Sequence, residues 1–358
     1  MKILVAAGGT GGHITPGIAI ANKLKEKGHQ IMFVGTERGM EVDLIPKAGF
    51  DIKYIHAQGI RRGSIFKNIK TFTELVKGID DVKKIIKEEN IDLVIGTGGY
   101  VTAPVMIAAI KSKVPTLIHE SNALPGKTTK WLSGKVDRVA VGFEAALKLL
   151  PKAKRGVYTG NPTKLKDSFT KSESKDKINS TKPLLLVFGG SQGAKKINET
   201  MVEFINETEI KDFELIYATG PKHYDEIISQ IKVKNPNVKI EKYIYNMEEI
   251  MTAADLAVCR SGALTVTELG IVGLPAILIP FPYAAENHQY YNAKTIEDNE
   301  AGIIIEEKDL TCELLKQKID EILKDKEKLN TMAQKAKRPE MKGAMENIMK
   351  EINEITKK

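Results

Sequence analysis

Two doubly wound α/β domains with parallel sheets are predicted by three observations. Short β-branched runs alternate with longer stretches of helical period along the chain. Both halves open alike, with a five-residue apolar run that leads through Gly-Gly into a helix. The length, 358 residues at about 150 per domain, suggests two domains, and 42% hydrophobic residues gives each a sizeable core.

In the first half the runs Ile3 to Ala7, Ile31 to Gly35, Leu93 to Gly96, Thr116 to His119 and Arg138 to Val141 read as strands. In the second half Leu184 to Phe188, Leu215 to Ala218, Leu256 to Cys259, Ala276 to Ile279 and Ile303 to Ile305 do the same. Between the halves, 164–182 is polar and Ser-rich with little to bury, which predicts a linker between domains at 1–163 and 183–338. The last segment, 339–358, reads as a charged helix with Met341, Met345, Ile348 and Ile352 on one face, expected to pack back on the first domain.

Composition excludes several classes. Fifty-four Lys and Arg against 46 Asp and Glu give a formal charge of +8, mixed in sign, which suits a protein that meets anions. No run reaches the roughly 18 apolar residues of a membrane span. The first residues run directly into a glycine turn rather than a signal peptide, so a cytoplasmic location is expected. Two cysteines, Cys259 and Cys312, form no disulfide framework or zinc pattern. There is no Asp-x-Asp and no His-Glu-x-x-His, so neither a metal nor a cofactor is expected. Gly126-Lys127-Thr128 is not a P-loop, because Ser121 stands where the first glycine belongs.

The chemistry concentrates after the strands. Gly8-Gly9-Thr10-Gly11-Gly12-His13 follows the first strand and opens a helix whose N-terminal amides attract phosphate. It is not the dinucleotide fingerprint, since Ile14 occupies the place of the third glycine. Gly96-Thr97-Gly98-Gly99-Tyr100 and Gly189-Gly190-Ser191-Gln192-Gly193 follow two further strands, and the three loops converge on one cleft if the sheets face each other by their C-terminal edges. His13 is open to three readings: a helix cap, a general base, or a group that orients a diphosphate. The densest segment is Cys259 to Leu269, where a strand opens through Ser261-Gly262 into a helix offering amides, Thr265 and one carboxylate, Glu268. A carboxylate there can accept both hydroxyls of a ribose while the amides hold phosphate; the plainer alternative is a solvated helix Glu. Asn287, His288 and Gln289 can present hydrogen bonds to sugar hydroxyls.

Seven segments, 8–17, 96–104, 119–132, 159–162, 188–194, 259–269 and 273–282, resemble in order the motifs of the MurG family of bacterial UDP-N-acetylglucosamine transferases. The resemblance implies the GT-B fold, two facing Rossmann-like domains, and inverting transfer of GlcNAc from UDP-GlcNAc to the 4-hydroxyl of MurNAc in lipid I (undecaprenyl-pyrophosphoryl-MurNAc-pentapeptide), giving lipid II. It places the donor on Ser191, Ile244, Ala263, Leu264, Thr265, Val266, Thr267, Glu268 and Gln289, with Thr10, Gly11, Gly12 and Asn122 on the donor-sugar side. Gly98, Gly99 and Tyr100 fall on the acceptor side and His13 is the candidate base. The family carries arginine where this chain has Lys164, which keeps the charge for a donor phosphate and loses the planar fork. On this reading 1–163 is the acceptor and membrane-side domain and 183–338 the UDP-GlcNAc-binding domain.

A lipid acceptor requires a membrane surface. Between Asp51 and Glu74 there is no acid, while Lys53, Arg61, Arg62, Lys67 and Lys70 accompany Ile60, Ile65, Phe66, Ile69 and Phe72. Basic residues among large apolar ones suit an anionic lipid surface, and an ordinary helix packing one face on the sheet is the alternative. Peripheral attachment to the cytoplasmic face of the membrane follows, with other cell-wall assembly enzymes as further partners and no nucleic acid. Rival readings are a UDP-sugar transferase with another acceptor, a UDP-GlcNAc 2-epimerase, or a non-catalytic sugar-nucleotide sensor.

Overall fold

The computed structural model describes residues 1–58, 65–153, 155–165 and 168–357, the side chains of 65–72 excepted. The chain divides into two compact units, residues 1–164 with 343–358, and residues 165–342.

The first unit is built on a seven-stranded sheet of β1 (Lys2–Ala7), β2 (Gln30–Gly35), β3 (Asp51–Tyr54), β4 (Leu93–Gly98), β5 (Thr116–Glu120), β6 (Arg138–Val141) and β7 (Gly156–Tyr158), in the order β3-β2-β1-β4-β5-β6-β7. Every pairing is parallel. β1 shows why so apolar a run belongs at the centre. Its side chains alternate, Ile3, Val5 and Ala7 entering one core and Leu4 and Ala6 the other, so both faces are buried.

The second unit repeats the plan with β8 (Leu184–Phe188), β9 (Glu214–Ala218), β10 (Val238–Glu241), β11 (Leu256–Cys259), β12 (Ala276–Leu278) and β13 (Gly302–Ile304), in the order β10-β9-β8-β11-β12-β13. In both sheets the winding reverses beside the first strand, between β1 and β4 and between β8 and β11. Doubly wound sheets open a crevice at the carboxyl ends of the strands flanking such a reversal. The glycine loops leave those strands.

Two boundaries differ from the sequence expectation. The stretch 164–182 is not a bare linker, because it contains the helix Lys171–Lys177. Thr170 caps that helix reciprocally with Glu173. Lys171 and Lys175 reach Asp255 at 2.8 and 2.7 Å. Burial alone would raise the Asp255 carboxyl; the two ammonium groups and the Leu184 N–H outweigh it and hold it below the ordinary range. The segment 339–358 is also divided. Pro339–Met341 belongs to the second unit, with Met341 against Gly270, and Gly343 at φ 74° ends the turn. Only the helix Ala344–Thr356 packs on the first unit, through Ile348, Met349 and Ile352. There the buried pair Arg138–Glu351 lies at 3.0 Å, with Glu354 on the same guanidinium.

Candidate functional site

In the first unit the turn after β1 runs through Gly9 (φ 87°) to Thr10, which enters the helix Gly11–Glu26 in an extended conformation. Thr10 and Gly12 are exposed, and the N–H groups of Gly11 and Gly12 precede the first intrahelical bonds, from His13 and Ile14 to the Thr10 carbonyl. His13 packs against the loop after β4: a Cβ on Gly98 would stand 2.3 Å from its Nδ1. The Thr97 hydroxyl donates to the His13 carbonyl at 2.8 Å, fixing the helix start to β4. Gly99 passes so close that a Cβ would lie 2.2 Å from the Gly8 carbonyl, and Gly98 and Gly99 both have positive φ. The structure therefore brings His13, Gly98, Gly99 and Tyr100 to the Gly8–Gly12 turn.

Asn122 lies in the loop after β5. Its backbone N–H and side-chain NH₂ both donate to Glu120 Oε1, at 3.1 and 3.3 Å, while Glu120 Oε2 accepts from Gly126 N–H at 3.0 Å and the Thr129 hydroxyl at 2.7 Å. This buried carboxylate holds the loop, and sequence reading missed it because a single acid at a strand end carries no periodic signal. His119 is fully buried, its Nε2 3.1 Å from the Gly160 carbonyl and its Nδ1 3.4 Å from the Ser121 hydroxyl. A carbonyl only accepts, so Nε2 carries the proton and Nδ1 accepts. Burial lowers the imidazole's pKa and keeps it neutral. Lys164 is exposed at the end of the first unit.

In the second unit the turn after β8 exposes Ser191 between Gly190 (φ 87°) and Gly193 (φ 78°). β11 leads through buried Arg260 and Ser261 to Gly262, which caps the helix Ala263–Val272. Arg260 Nη1 donates to the carbonyls of Ile279 and Pro280, each at 3.1 Å, and its Nη2 pairs with Glu307. The Ser261 hydroxyl donates to the Gln289 carbonyl at 2.8 Å, and Gln289 Oε1 accepts from Phe281 N–H at 3.0 Å. Gln289's NH₂ is thus the part of its amide suited to a sugar hydroxyl.

Ala263, Leu264 and Thr265 form the first turn, ahead of the first intrahelical bond, from Val266 N–H to Gly262 O at 2.9 Å. Val266 and Thr267 turn inward. Both side chains are fully buried, and the Thr267 hydroxyl turns back to the Ala263 carbonyl at 2.9 Å, so neither side chain lies at the surface a nucleotide would meet. Ile244 is likewise buried, between Tyr243 and Tyr245, whose rings meet edge to face at 5.0 Å. Glu268 behaves differently. Among the described residues no hydrogen bond or ion pair reaches its carboxyl, and burial, followed by the charge of Glu248, raises its pKa to about 7.

Among the described residues no group of three His, Cys, Asp or Glu stands together to hold a metal. Of the basic stretch near residue 60, Ile60, Arg61 and Arg62 and the side chains of Ile65, Phe66, Lys67, Ile69, Lys70 and Phe72 lie outside the described residues.

The glycosyltransferase family 28 N-terminal domain matches residues 3–141 and the family's C-terminal domain residues 184–348. A protein of Acetivibrio thermocellus named UDP-N-acetylglucosamine–N-acetylmuramyl-(pentapeptide) pyrophosphoryl-undecaprenol N-acetylglucosamine transferase is 45% identical, over 100% of this chain and 99% of its own. The chain belongs to the MurG branch of glycosyltransferase family 28. A Bacillus cereus relative with the same transferase name is 42% identical over the whole of both chains. The crystal structure of Acinetobacter baumannii MurG superposes with a TM-score of 0.83 at 29% identity, covering 99% of each chain. A putative UDP-N-acetylglucosamine 2-epimerase from Listeria monocytogenes, 16% identical with a TM-score of 0.63, shares the fold alone. Two parallel-sheet α/β units with both family 28 domains make this the GT-B fold, as the sequence predicts.

Proposed function

We propose that this MurG-family chain transfers GlcNAc from UDP-GlcNAc to the 4-hydroxyl of MurNAc in lipid I, forming lipid II for peptidoglycan. The observation that carries the reading is 45% identity over essentially the whole of both chains with a transferase of that name. In an inverting transfer the acceptor oxygen attacks the anomeric carbon, the bond to UDP breaks, and the acceptor proton goes to a base.

The second unit takes the donor. The first-turn amides from Ala263 to Thr265 and the turn around Ser191 meet the diphosphate, so its negative charge is met by backbone dipoles as it leaves. Glu268 accepts the ribose hydroxyls. Its carboxyl has no protein donor among the described residues, and two hydroxyls would supply what it lacks. Gln289 reads the sugar with its NH₂. The first unit takes the acceptor, with Gly98, Gly99 and Tyr100 beside its pyrophosphate and Thr10, Gly11, Gly12 and Asn122 toward the donor sugar. His13 is the proton acceptor: its ring lies at the glycine turn against Gly98, and the Thr97 hydroxyl holds its backbone carbonyl. Lys164 adds a positive charge for a donor phosphate.

The acceptor's lipid puts the protein at the cytoplasmic face of the membrane, bound peripherally through the basic stretch near residue 60; among the described residues no helix is long and apolar enough to cross a bilayer. The test is transfer of labelled GlcNAc to a short-chain lipid I analogue, with EDTA present and UDP-GalNAc in parallel. Label in lipid II that persists in EDTA and is absent with UDP-GalNAc supports acceptor, sugar and metal-free departure together. A folded protein that binds UDP-GlcNAc without transferring it would favour the sensor reading.

A further inference from the structure

The first unit contains a second buried carboxylate that the mechanism above does not use. Glu41 is fully buried at the start of the helix Glu41–Lys47. Its Oε2 accepts from the Gly9 N–H at 3.0 Å. Its Oε1 lies 3.0 Å from the Thr36 hydroxyl, 3.2 Å from the Tyr100 hydroxyl and 3.4 Å from the Thr36 N–H. Gly9 follows β1, Thr36 follows β2 and Tyr100 follows β4, and those strands are neighbours in the sheet. One carboxylate thus ties together the loops leaving three adjacent strands at the point where the winding reverses.

The hydroxyls at the junction share their partners. The Thr36 and Tyr100 hydroxyls carry one proton each, and the Arg38 carbonyl also lies within reach of both, 2.6 Å from Thr36 Oγ1 and 2.9 Å from the Tyr100 oxygen. The two hydroxyls also stand 2.9 Å from each other, so Arg38 O, Glu41 Oε1 and the hydroxyl oxygens themselves form one connected set in which Glu41 Oε1 is the side-chain carboxylate oxygen that both hydroxyls reach. The surroundings are shaped around this side chain: a Cβ on Gly39 would approach it to 2.5 Å, on Gly35 to 2.9 Å and on Gly8 to 3.2 Å. Among the described residues no ion pair reaches Glu41. An acid buried among neutral donors is a costly filler where an apolar side chain would pack. What it supplies here is the placement of Gly9 and of Tyr100, whose ring would meet a Cβ on Gly9 at 3.2 Å.

We propose that Glu41 is a positioning residue for the transfer, a buried clamp that fixes the Gly8–Gly12 turn and Tyr100 in the arrangement the acceptor meets. The proposal rests on the reading of the first unit as the acceptor side. Reacting groups displaced by about 1 Å lose rate steeply, so loosening the clamp acts on turnover without touching the UDP-binding groups of the second unit.

The experiment is steady-state kinetics with UDP-GlcNAc and a short-chain lipid I analogue on Glu41→Gln, Tyr100→Phe and the double variant, with UDP affinity and melting temperature measured alongside. Glu41→Gln exchanges one accepting oxygen for a donor of the same shape. The expected result is a fall of about tenfold or more in kcat/KM for the acceptor, with UDP affinity unchanged. Tyr100→Phe should cost little further in the Glu41→Gln background, because both changes undo one junction. Unchanged acceptor kinetics in both single variants, or full additivity in the double, overturns the clamp. A loss appearing in the affinity for UDP instead overturns the assignment of sides. Should Glu41→Gln not fold, Thr36→Val with Tyr100→Phe carries the same coupling test, and additivity there overturns the clamp equally.

Discussion

The crevices of the two units use their carboxylates in opposite ways. In the first unit Glu120 is buried and receives four hydrogen bonds from Asn122, Gly126 and Thr129. Its accepting capacity is spent on the loop that carries Asn122. In the second unit the loop after β11 is held by a cation instead, Arg260, which donates to two backbone carbonyls and pairs with Glu307. Glu268 has no such partner among the described residues and sits at about 7. A satisfied carboxylate stabilises a loop; an unsatisfied one in the second turn of a helix is kept for a ligand, and the fold bears its desolvation until the ligand arrives.

The sharpest way to break this contrast is to remove each acid in turn. Glu120→Ala leaves several inward-facing donors without a partner, each costing about 1–3 kcal/mol, so a loss of about 3 kcal/mol or more in unfolding free energy is expected by denaturant titration. Glu268→Ala removes an unsatisfied charge and should leave stability level or higher. Its loss falls on the donor: two hydrogen bonds to a charged acceptor, each worth about 1.5–3 kcal/mol, predict a drop of a hundredfold or more in UDP affinity by calorimetry. If both variants lose mainly stability, Glu268 is a structural acid and the contrast fails.

Gly98→Ala probes the first unit without a carboxylate. The new Cβ would stand 2.3 Å from His13 Nδ1 in a backbone at φ 115°, so the imidazole must move. Turnover should fall by about a hundredfold with UDP affinity unchanged. A kcat within twofold of the parent's would separate His13 from the proton transfer.

Acidity sharpens the same comparison. The Glu268 carboxyl sits at about 7 in the folded chain against an ordinary 4.5. Because the folded value is the higher one, the native state binds the proton more tightly, and this group's contribution to stability grows as pH falls from 7 toward 4.5. Donor binding needs the ionised acceptor and runs the other way, weakening up to about tenfold per unit below pH 7. UDP titrations at pH 6 and 8 should therefore show tighter binding at pH 8, with proton release on binding at pH 6 that is lost in Glu268→Gln.

The centre of each sheet was legible in the sequence and the rims were not. The runs read as strands became β1, β2, β4, β5, β6, β8, β9, β11, β12 and β13, most of them flanked on both sides and hence near-continuously apolar. β3, β7 and β10 were missed, and each is a sheet edge of three or four residues with little buried surface. The glycine loops were legible because close approach forbids a Cβ at Gly98, Gly99 and Gly193, a constraint written in residue type. Glu41 and Glu120 were not, since what marks them is the convergence of donors from distant segments. That the side chains of Val266 and Thr267 turn inward was not legible either, because a run of motif residues does not reveal which side of the helix is buried.

The smallest effect tests the segment read as a linker. Its composition is that of a flexible connector, yet Thr170-Lys171-Ser172-Glu173 has the spacing of a reciprocal cap, and the structure forms both of its bonds, Thr170 N–H to Glu173 Oε2 at 2.8 Å and Glu173 N–H to Thr170 Oγ1 at 3.3 Å. Both side chains are exposed, so the cap acts on the helix alone and about 1 kcal/mol is expected from Thr170→Ala. Hydrogen exchange reads that change locally. Amides of 174–178 should open several-fold more readily in the variant while those of β8 and β11 stay as protected as before. The same exchange rate in parent and variant, at the rate of an unstructured chain, would return 164–182 to a linker and leave Asp255 without the two lysines that balance its burial.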